Sequence, residues 1–229
     1  MAFDTDSQAA LSALLDYARA AGADAAEASF ALREAISAEV RMGALEGMER
    51  EEGRSVALRA FIGKRQAAAS STDLSASGLK TLAERTTAMA KAAPEDRYCG
   101  LLEPQYLASG ATPELEMADA ARPSPERLLE LAMECEAAAL AIEGIANSSG
   151  AGASSEFAAF AYAASNGFEG AESGTTYSLG AQPIAERGDD MERDYEWRTK
   201  LFFADLPGAA EIGRKAGEQI LLAVDSRAS

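Results

Sequence analysis

Ser77 and Lys80 form a pair of residues whose spacing could support a chemical reaction. Some acyl-transfer enzymes place a lysine three residues after their nucleophilic serine. This sequence contains no Lys-Thr-Gly or Ser-Asp-Asn element to accompany the pair, and both residues fall at the predicted start of a helix, where serine and lysine are common. We therefore favour a structural role, and an independent hydrolase using Ser77 and Lys80 is kept as a minor hypothesis.

Two further segments have compositions that suggest ligand binding. The glycine-rich stretch from Gly144 to Gly152 follows a predicted helix and lacks the Gly-Lys-Ser/Thr ending of a phosphate loop, which favours a flexible connection. The densest carboxylate group could offer oxygen ligands to Ca²⁺ or Mg²⁺. Its members are Asp189, Asp190, Glu192, Asp194 and Glu196. Because Arg193, Arg198 and Lys200 interleave with these carboxylates, we favour a salt-bridged or solvated sheet face.

Composition excludes several classes of function. The 229-residue chain has no histidine, so it can form no histidine-based zinc site, no imidazole base and no Ser-His or Cys-His nucleophile pair. A formal net charge of −16 argues against direct binding of nucleic acid or of an anionic membrane. It suits solubility or a basic partner or substrate, and a soluble cytosolic protein from an acidic proteome is favoured over a dedicated cation-binding surface. The cysteines, Cys99 and Cys135, are predicted to be buried or half-buried free thiols in a reducing compartment, the cytoplasm, with a disulfide as the less favoured alternative.

The elements that position these residues follow from periodicity. The segment from Arg54 to Ala93 predicts a strand, a tight turn at Gly63, a second strand and a helix. Several residues just before this helix can cap its first turn, and they are Thr72, Asp73 and Ser75. Aromatic residues on later predicted strands could line a peptide groove, although core positions are the favoured interpretation. They are Phe157, Phe160, Tyr162, Phe168, Tyr177, Tyr195 and Trp197.

The whole chain is predicted to be α+β, with antiparallel sheet flanked by helices in two successive units. The first helix–strands–helix unit covers 1–95, a proline-rich connection covers 96–123, and the second unit covers 124–229. Separate strands are predicted at Ala25–Leu32, Ile36–Met42, Met48–Glu52, Val56–Ile62, Gln66–Ser71, Glu156–Ser165, Phe168–Leu179, Ala181–Arg187 and Met191–Leu201. Predicted connections are a turn at Gly43–Gly47, a Gly/Ser loop or an irregular strand edge at Asn147–Ser155, and a type I′ hairpin turn at Asn166-Gly167.

Two motifs on these elements resemble the PmbA (TldE) branch of the TldD/PmbA family. The first is the run from Ala67 to Ser75 with the hairpin strand before it, and the second is the run from Asp189 to Tyr195. The order of elements agrees over nearly the whole chain. The motif residues, to which we assign a structural role, are Ser70, Ser71, Thr72, Asp73, Met191, Glu192, Arg193, Asp194 and Tyr195.

The resemblance implies the N-terminal region of a non-catalytic subunit in a cytoplasmic metallopeptidase complex that cleaves unfolded or small peptides. In that family, a TldD-type subunit carries the zinc motif and pairs with the PmbA-type subunit, and the name "modulator of DNA gyrase" is also used. The region is expected to help form a chamber and to bind the zinc subunit, with no catalytic residue, cofactor or metal of its own. Family members continue into a C-terminal domain, which is expected to be absent here. The alternative is a stand-alone acidic module that binds extended peptides by strand addition.

Overall fold

The computed structural model describes residues 5–108, 113–187 and 190–227. Four α-helices occur in these residues: α1 Thr5–Ala20, α2 Ala76–Ala92, α3 Pro125–Leu140 and α4 Ala209–Arg227. The strands are β1 Ala25–Arg41, β2 Ala44–Ile62, β3 Arg65–Ser71, β4 Ile145–Ala164, β5 Glu169–Arg187, β6 Asp190–Arg193 and β7 Glu196–Lys200. The predicted α+β class is confirmed. None of the described helices is long and apolar enough to cross a membrane.

The strands form one seven-stranded sheet in the order β3-β2-β1-β4-β5-β6, with β7 also paired to β5. The β2–β3, β5–β6 and β5–β7 pairs are antiparallel. Two compact units emerge, each built from three separated stretches of chain. They comprise Met1–Arg33, Gly53–Leu115 and Ala158–Ser173 in unit 1, and Glu34–Glu52, Glu116–Phe157 and Gly174–Ser229 in unit 2. Because β1, β2, β4 and β5 each contribute to both units, the units do not follow the order of the sequence.

Unit 1 has a core in which α1 and α2 pack against one face of the sheet. Leu14 and Leu82 contribute from the two helices, and Leu58 contributes from β2. Ser75 caps α2, because its hydroxyl accepts a hydrogen bond from the Gly78 amide at 3.1 Å.

Unit 2 has a separate core in which α3 and α4 pack against the sheet. Leu131 of α3 and Ile212 of α4 meet Leu179 of β5 there. Ser124 caps α3 through the Arg127 amide at 3.2 Å, as the Ser-Pro start of this helix indicates. Each unit therefore buries one sheet face under two helices.

Several predicted strand boundaries are wrong because the sequence signals placed breaks where the sheet continues. β1 runs without interruption through residues 33–35, and β2 continues through Gly53. Residues 147–155, predicted as a loop or an irregular strand edge, belong to β4, which lies between β1 and β5 and in which Ala151 and Ala153 are buried. Small residues suit this strand because neighbouring backbone lies close, and a Cβ on Gly150 would come within 2.9 Å of the Val40 carbonyl oxygen.

Two hairpin connections also differ from their predictions. The first turn is centred on Met42 and Gly43, with φ of 51° and 74°, instead of spanning Gly43–Gly47. The second hairpin lies at Asn166-Gly167, as predicted, but only Gly167 has positive φ, at 92°. The Gly167 amide donates to the Ala164 carbonyl, so this is a longer turn ending in a left-handed glycine and not a type I′ turn.

Two predicted strands near the end of the sheet are also corrected. The expected break between Leu179 and Ala181 is absent, since β5 is continuous. The expected single strand Met191–Leu201 is instead two short strands, because β6 pairs with Ile184–Arg187 while β7 pairs with Tyr177–Ala181.

Candidate functional site

The first motif, Ser70–Asp73, leads directly into helix α2 in unit 1. The Ser71 hydroxyl accepts from the Asp73 amide at 3.0 Å, and the Asp73 carboxylate accepts from the Ser75 amide at 3.0 Å. Hydrogen bonds from the Ser75 side chain and then its backbone lower the pKa of Asp73. The motif thus orders the approach to the helix cap.

A shallow groove of about 200 Å³ lies beside this motif. Its lining includes Ser71, Asp73, Ser77 and Arg85. A Cβ on Gly78 would come within 2.3 Å of the Asp73 carboxyl carbon, so a side chain at this position would displace that carboxylate. The groove therefore contains a carboxylate that is already committed to capping.

The structure gives Ser77 and Lys80 separate partners. The Ser77 hydroxyl lies 3.1 Å from the Ser75 hydroxyl, and the Lys80 ammonium lies 3.9 Å from Glu84 in an exposed i,i+4 pair. No hydrogen bond joins Ser77 to Lys80 within residues 5–108. The lysine is thus not positioned in this structure to take a proton from the serine.

The second motif, Met191–Tyr195, lies in unit 2 and spans the step from β6 to β7. Arg193 pairs with Ile184 in the sheet register, and the Asp194 carboxylate accepts from the Tyr195 amide at 2.8 Å. Met191 and Tyr195 are 63% and 60% exposed, which places them on the surface rather than in the core. The motif therefore ends one short strand and starts the next.

The cluster of acidic residues predicted at 189–196 is not a single cluster in the structure. Asp189 lies outside the described residues. Glu196 is buried and forms ion pairs with Arg198 and with Lys215, whose nitrogen lies 2.9 Å away. At Glu196 the favoured prediction of a salt-bridged carboxylate is confirmed, and its partner on α4 could not be read from strand spacing.

Zinc is the metal that the family resemblance implies, and the described side chains do not fit it. Zinc prefers imidazole and thiolate ligands, but the chain has no histidine. Cys99 and Cys135 are both free and buried, which confirms the predicted thiols. Burial, with Glu134 and Glu136 nearby, raises the pKa of Cys135 to about 12, so it stays protonated. No group of three or more potential ligands occurs among the described residues.

A buried carboxylate that sequence reasoning missed fixes the first hairpin of unit 2. Glu136 on α3 is only 1% exposed, and its two oxygens accept from the Met42 amide at 3.0 Å and the Gly43 amide at 2.8 Å. These amides belong to the turn with positive φ, so the carboxylate replaces the strand partners that the turn lacks. The only sequence signal was a glutamate on an otherwise apolar helix stripe.

Asp119 ties the proline-rich segment to β5 and to the end of β7. Its carboxylate accepts from the Ala121 amide at 3.0 Å and from the Phe203 amide at 2.8 Å. Its own amide donates to the Thr175 hydroxyl at 2.8 Å, and that hydroxyl donates to the Leu201 carbonyl. The backbone hydrogen bonds from Ala121 and Phe203 lower the pKa of Asp119.

Family models match two parts of the chain. The model described as PmbA/TldA metallopeptidase domain 1 matches residues 26–90, and the one described as the central domain matches residues 118–224. The chain belongs to the PmbA/TldD metallopeptidase family. The resemblance carried by the two motifs is thus confirmed at the level of the family.

Curated members of this family support the PmbA branch. The chain is 30% identical over 213 residues to a Metalloprotease PmbA homolog of Haemophilus influenzae, covering 93% of this chain and 47% of that protein. It is 29% identical over 205 residues to Metalloprotease PmbA of Escherichia coli O157:H7, covering 89% and 45%. The chain therefore spans about half the length of the curated relatives it matches.

Solved structures agree with the fold. A candidate modulator of DNA gyrase from Bacteroides thetaiotaomicron has a TM-score of 0.88 at 24% identity, covering 95% of this chain and 50% of that one. TldE from Thermococcus kodakarensis has a TM-score of 0.77 at 19% identity, covering 93% and 47%. At these identities the likeness concerns the fold alone.

Proposed function

We propose that this chain acts as a non-catalytic region of a PmbA-type subunit in a cytoplasmic zinc metallopeptidase complex that degrades or processes unfolded or small peptides. The observation that carries the proposal is a match to two domains of a metallopeptidase family by a chain with no histidine. In this role the chain helps to form the chamber and binds a TldD-type subunit, which supplies the zinc.

The contacts of the candidate residues support a structural role. Asp73, Asp119 and Glu136 each accept hydrogen bonds from backbone amides, so their carboxylates hold turns and helix ends. At Asp73 and Asp119 these hydrogen bonds lower the pKa, so both carboxyl groups are poor proton donors near neutral pH. The protonated thiol of Cys135 is likewise a poor nucleophile.

The test is peptide hydrolysis by the chain alone and mixed with a full-length TldD-type subunit, each with and without a chelator. We expect no cleavage by the chain alone, co-elution with the zinc subunit, and altered cleavage in the mixture that the chelator abolishes. Chelator-resistant cleavage by the chain alone would contradict the proposal. If Lys80→Ala then removed that cleavage while Lys91→Ala did not, the Ser77–Lys80 hydrolase would replace it.

One observation favours the second candidate, a module that captures peptides by strand addition. β3 pairs with β2 only over Val56–Ile62, so residues 44–55 of β2 have no strand partner on that edge among the described strands. Free backbone groups along an edge can pair with an extended peptide. This candidate predicts that peptides bind the chain without any partner subunit, and its distinguishing result is that a bound peptide protects the amides of residues 44–55 from hydrogen exchange.

A further inference from the structure

Trp197 is the single tryptophan of the chain, and it lies on the sheet face of unit 2 that the helices leave open. It stands opposite Gly180 in the β5–β7 register and is 45% exposed. Its neighbour Glu196 is buried and paired with Lys215 of α4, so the alternation along β7 directs the indole away from the helices. A large aromatic side chain is thus presented to solvent in a fixed place.

Two glycines make room for this ring. A Cβ on Gly180 would come within 2.4 Å of Trp197 Cδ2, and a Cβ on Gly152 would come within 3.2 Å of Trp197 Cη2. The indole therefore extends from β7 across β5 to β4, resting on backbone that carries no side chain. A side chain at Gly180 would displace the ring or the Glu196 carbonyl, whose oxygen would lie 2.5 Å from the added Cβ, whereas one at Gly152 would shift the ring only slightly.

The aliphatic part of a glutamate side chain, that of Glu39, lies near the same place. A Cβ added to Gly152 would lie 3.2 Å from Trp197 Cη2 and 3.8 Å from Glu39 Cγ, so both side chains border this glycine. Glu39 is exposed, and no ion pair engages it within the described part of the chain. Beside the ring, the hydroxyls of Ser178 and Thr199 lie 2.9 Å apart and form a small polar border.

An aromatic face next to an unpaired carboxylate is the arrangement that attracts an organic cation. A lysine or arginine head group gains from the ring quadrupole and from the carboxylate at once, and its aliphatic stem can lie on the indole. The net charge of −16 adds a general attraction for basic peptides. A phosphate, a nucleic acid or an acidic peptide would meet the wrong charge.

We propose that Trp197 and Glu39 form a binding subsite for a lysine or arginine side chain of an extended peptide. The inference rests on the proposed role in peptide handling and specifies which peptides the chain prefers. The open sheet face supplies the surface for the peptide backbone. Gly152 and Gly180, on which the indole rests, set the position of the subsite.

The fluorescence of Trp197 allows a direct test with the intact chain and no partner subunit. Three capped hexapeptides of equal length are titrated: one alternating Arg and Ser, one alternating Glu and Ser, and one of Ser and Ala. We expect only the basic peptide to change the emission, with weaker binding as salt rises. An equal response to the neutral peptide, or no response to the basic one, overturns the subsite.

Variants then locate the binding by the anisotropy of a fluorescein-labelled basic peptide. We expect Trp197→Ala and Glu39→Gln each to weaken binding about threefold, the size of an exposed cation–π or ion contact. Tyr98→Ala and Glu143→Gln remove an exposed aromatic and an exposed carboxylate elsewhere, and are expected to bind as the wild type does. Circular dichroism confirms folding, and unchanged binding by both Trp197→Ala and Glu39→Gln refutes the inference.

The partner experiment separates this inference from the function on which it rests. Co-elution with a TldD-type subunit tests the proposed role without any basic peptide. Co-elution together with indifference to peptide charge would overturn the subsite alone, whereas charge-selective binding without co-elution would support the subsite and contradict the complex.

Discussion

Replacing Gly213 by alanine tests the close approach of α3 and α4 in unit 2. A Cβ at this position would lie 1.9 Å from the Cys135 carbonyl oxygen and 3.1 Å from the Ala138 Cβ. A relaxed carbon–oxygen contact is about 3.3 Å, so about 1.4 Å of separation is missing. Because the obstacle is backbone, no side-chain rotation can relieve the contact, and the helices must move apart.

The expected magnitude combines two opposing terms. Alanine is favoured over glycine inside a helix by about 1 kcal/mol. Overpacking at a rigid contact costs up to about 3 kcal/mol. We therefore expect Gly213→Ala to lower the free energy of unfolding by about 2 kcal/mol. Gly217→Ala should lower the free energy of unfolding by less, because the shortest contact of its added Cβ, at 2.8 Å, is with the movable Ile142 side chain.

Urea denaturation followed by Trp197 fluorescence measures the change in the free energy of unfolding, since the indole lies in the same unit as both helices. We expect the midpoint to fall by about 1 M for Gly213→Ala. Gly47→Ala is the matched control, because nothing lies within 4 Å of its Cβ position, and it should change stability by less than about 0.5 kcal/mol. A stabilised Gly213→Ala variant would show that helix propensity dominates and that the helices are not in close contact.

Three further predictions concern buried or constrained groups. Glu136→Gln should lower the free energy of unfolding by about 2 kcal/mol, because one turn amide loses its charged acceptor. Hydrogen exchange at the Met42 and Gly43 amides should become faster, whereas Glu134→Gln, at an exposed position, should leave that exchange unchanged. Because the pKa of Asp119 is lowered by folding, its contribution to stability is full above the unfolded-state pKa of about 3.9 and is lost as pH falls through the folded-state pKa. Asp119→Asn should therefore reduce the dependence of the free energy of unfolding on pH in that range. An unchanged pH dependence would contradict the anchoring role of Asp119. Cys135 should resist iodoacetamide at pH 8 until urea is added, and rapid labelling of the folded chain would contradict its burial.

The sequence predicted elements well where the signal was local. The caps at Ser75 and Ser124 were readable because a cap uses residues three positions apart. The hairpin at Asn166-Gly167 was located correctly, but its turn type depended on the flanking strands and was wrong. At Asn147–Ser155 the loop interpretation was wrong, and the alternative of a strand edge was correct only in being a strand, since β4 lies between two others. Serine and glycine indicated flexibility, although the close packing of neighbouring strands requires small residues there.

The candidate subsite shows the limit of reading residues along one strand. Trp197 was recognised as an aromatic on a strand, but core was the favoured interpretation and its exposure was not predicted. Its neighbours Gly152, Gly180 and Glu39 lie far away in the sequence. Their convergence depends on strand order and register, which periodicity does not encode.

The sequence by itself determined the family, the α+β class, the free thiols and the exclusion of histidine chemistry, because motifs and composition do not depend on long-range contacts. Only the tertiary structure decided which polar groups are buried and what holds them. Glu136 and Glu196 resemble surface carboxylates in the sequence, yet each is buried against donors contributed by other elements. A charged group is stable in the interior only when such donors reach it, and that requires segments that are distant in the chain to meet.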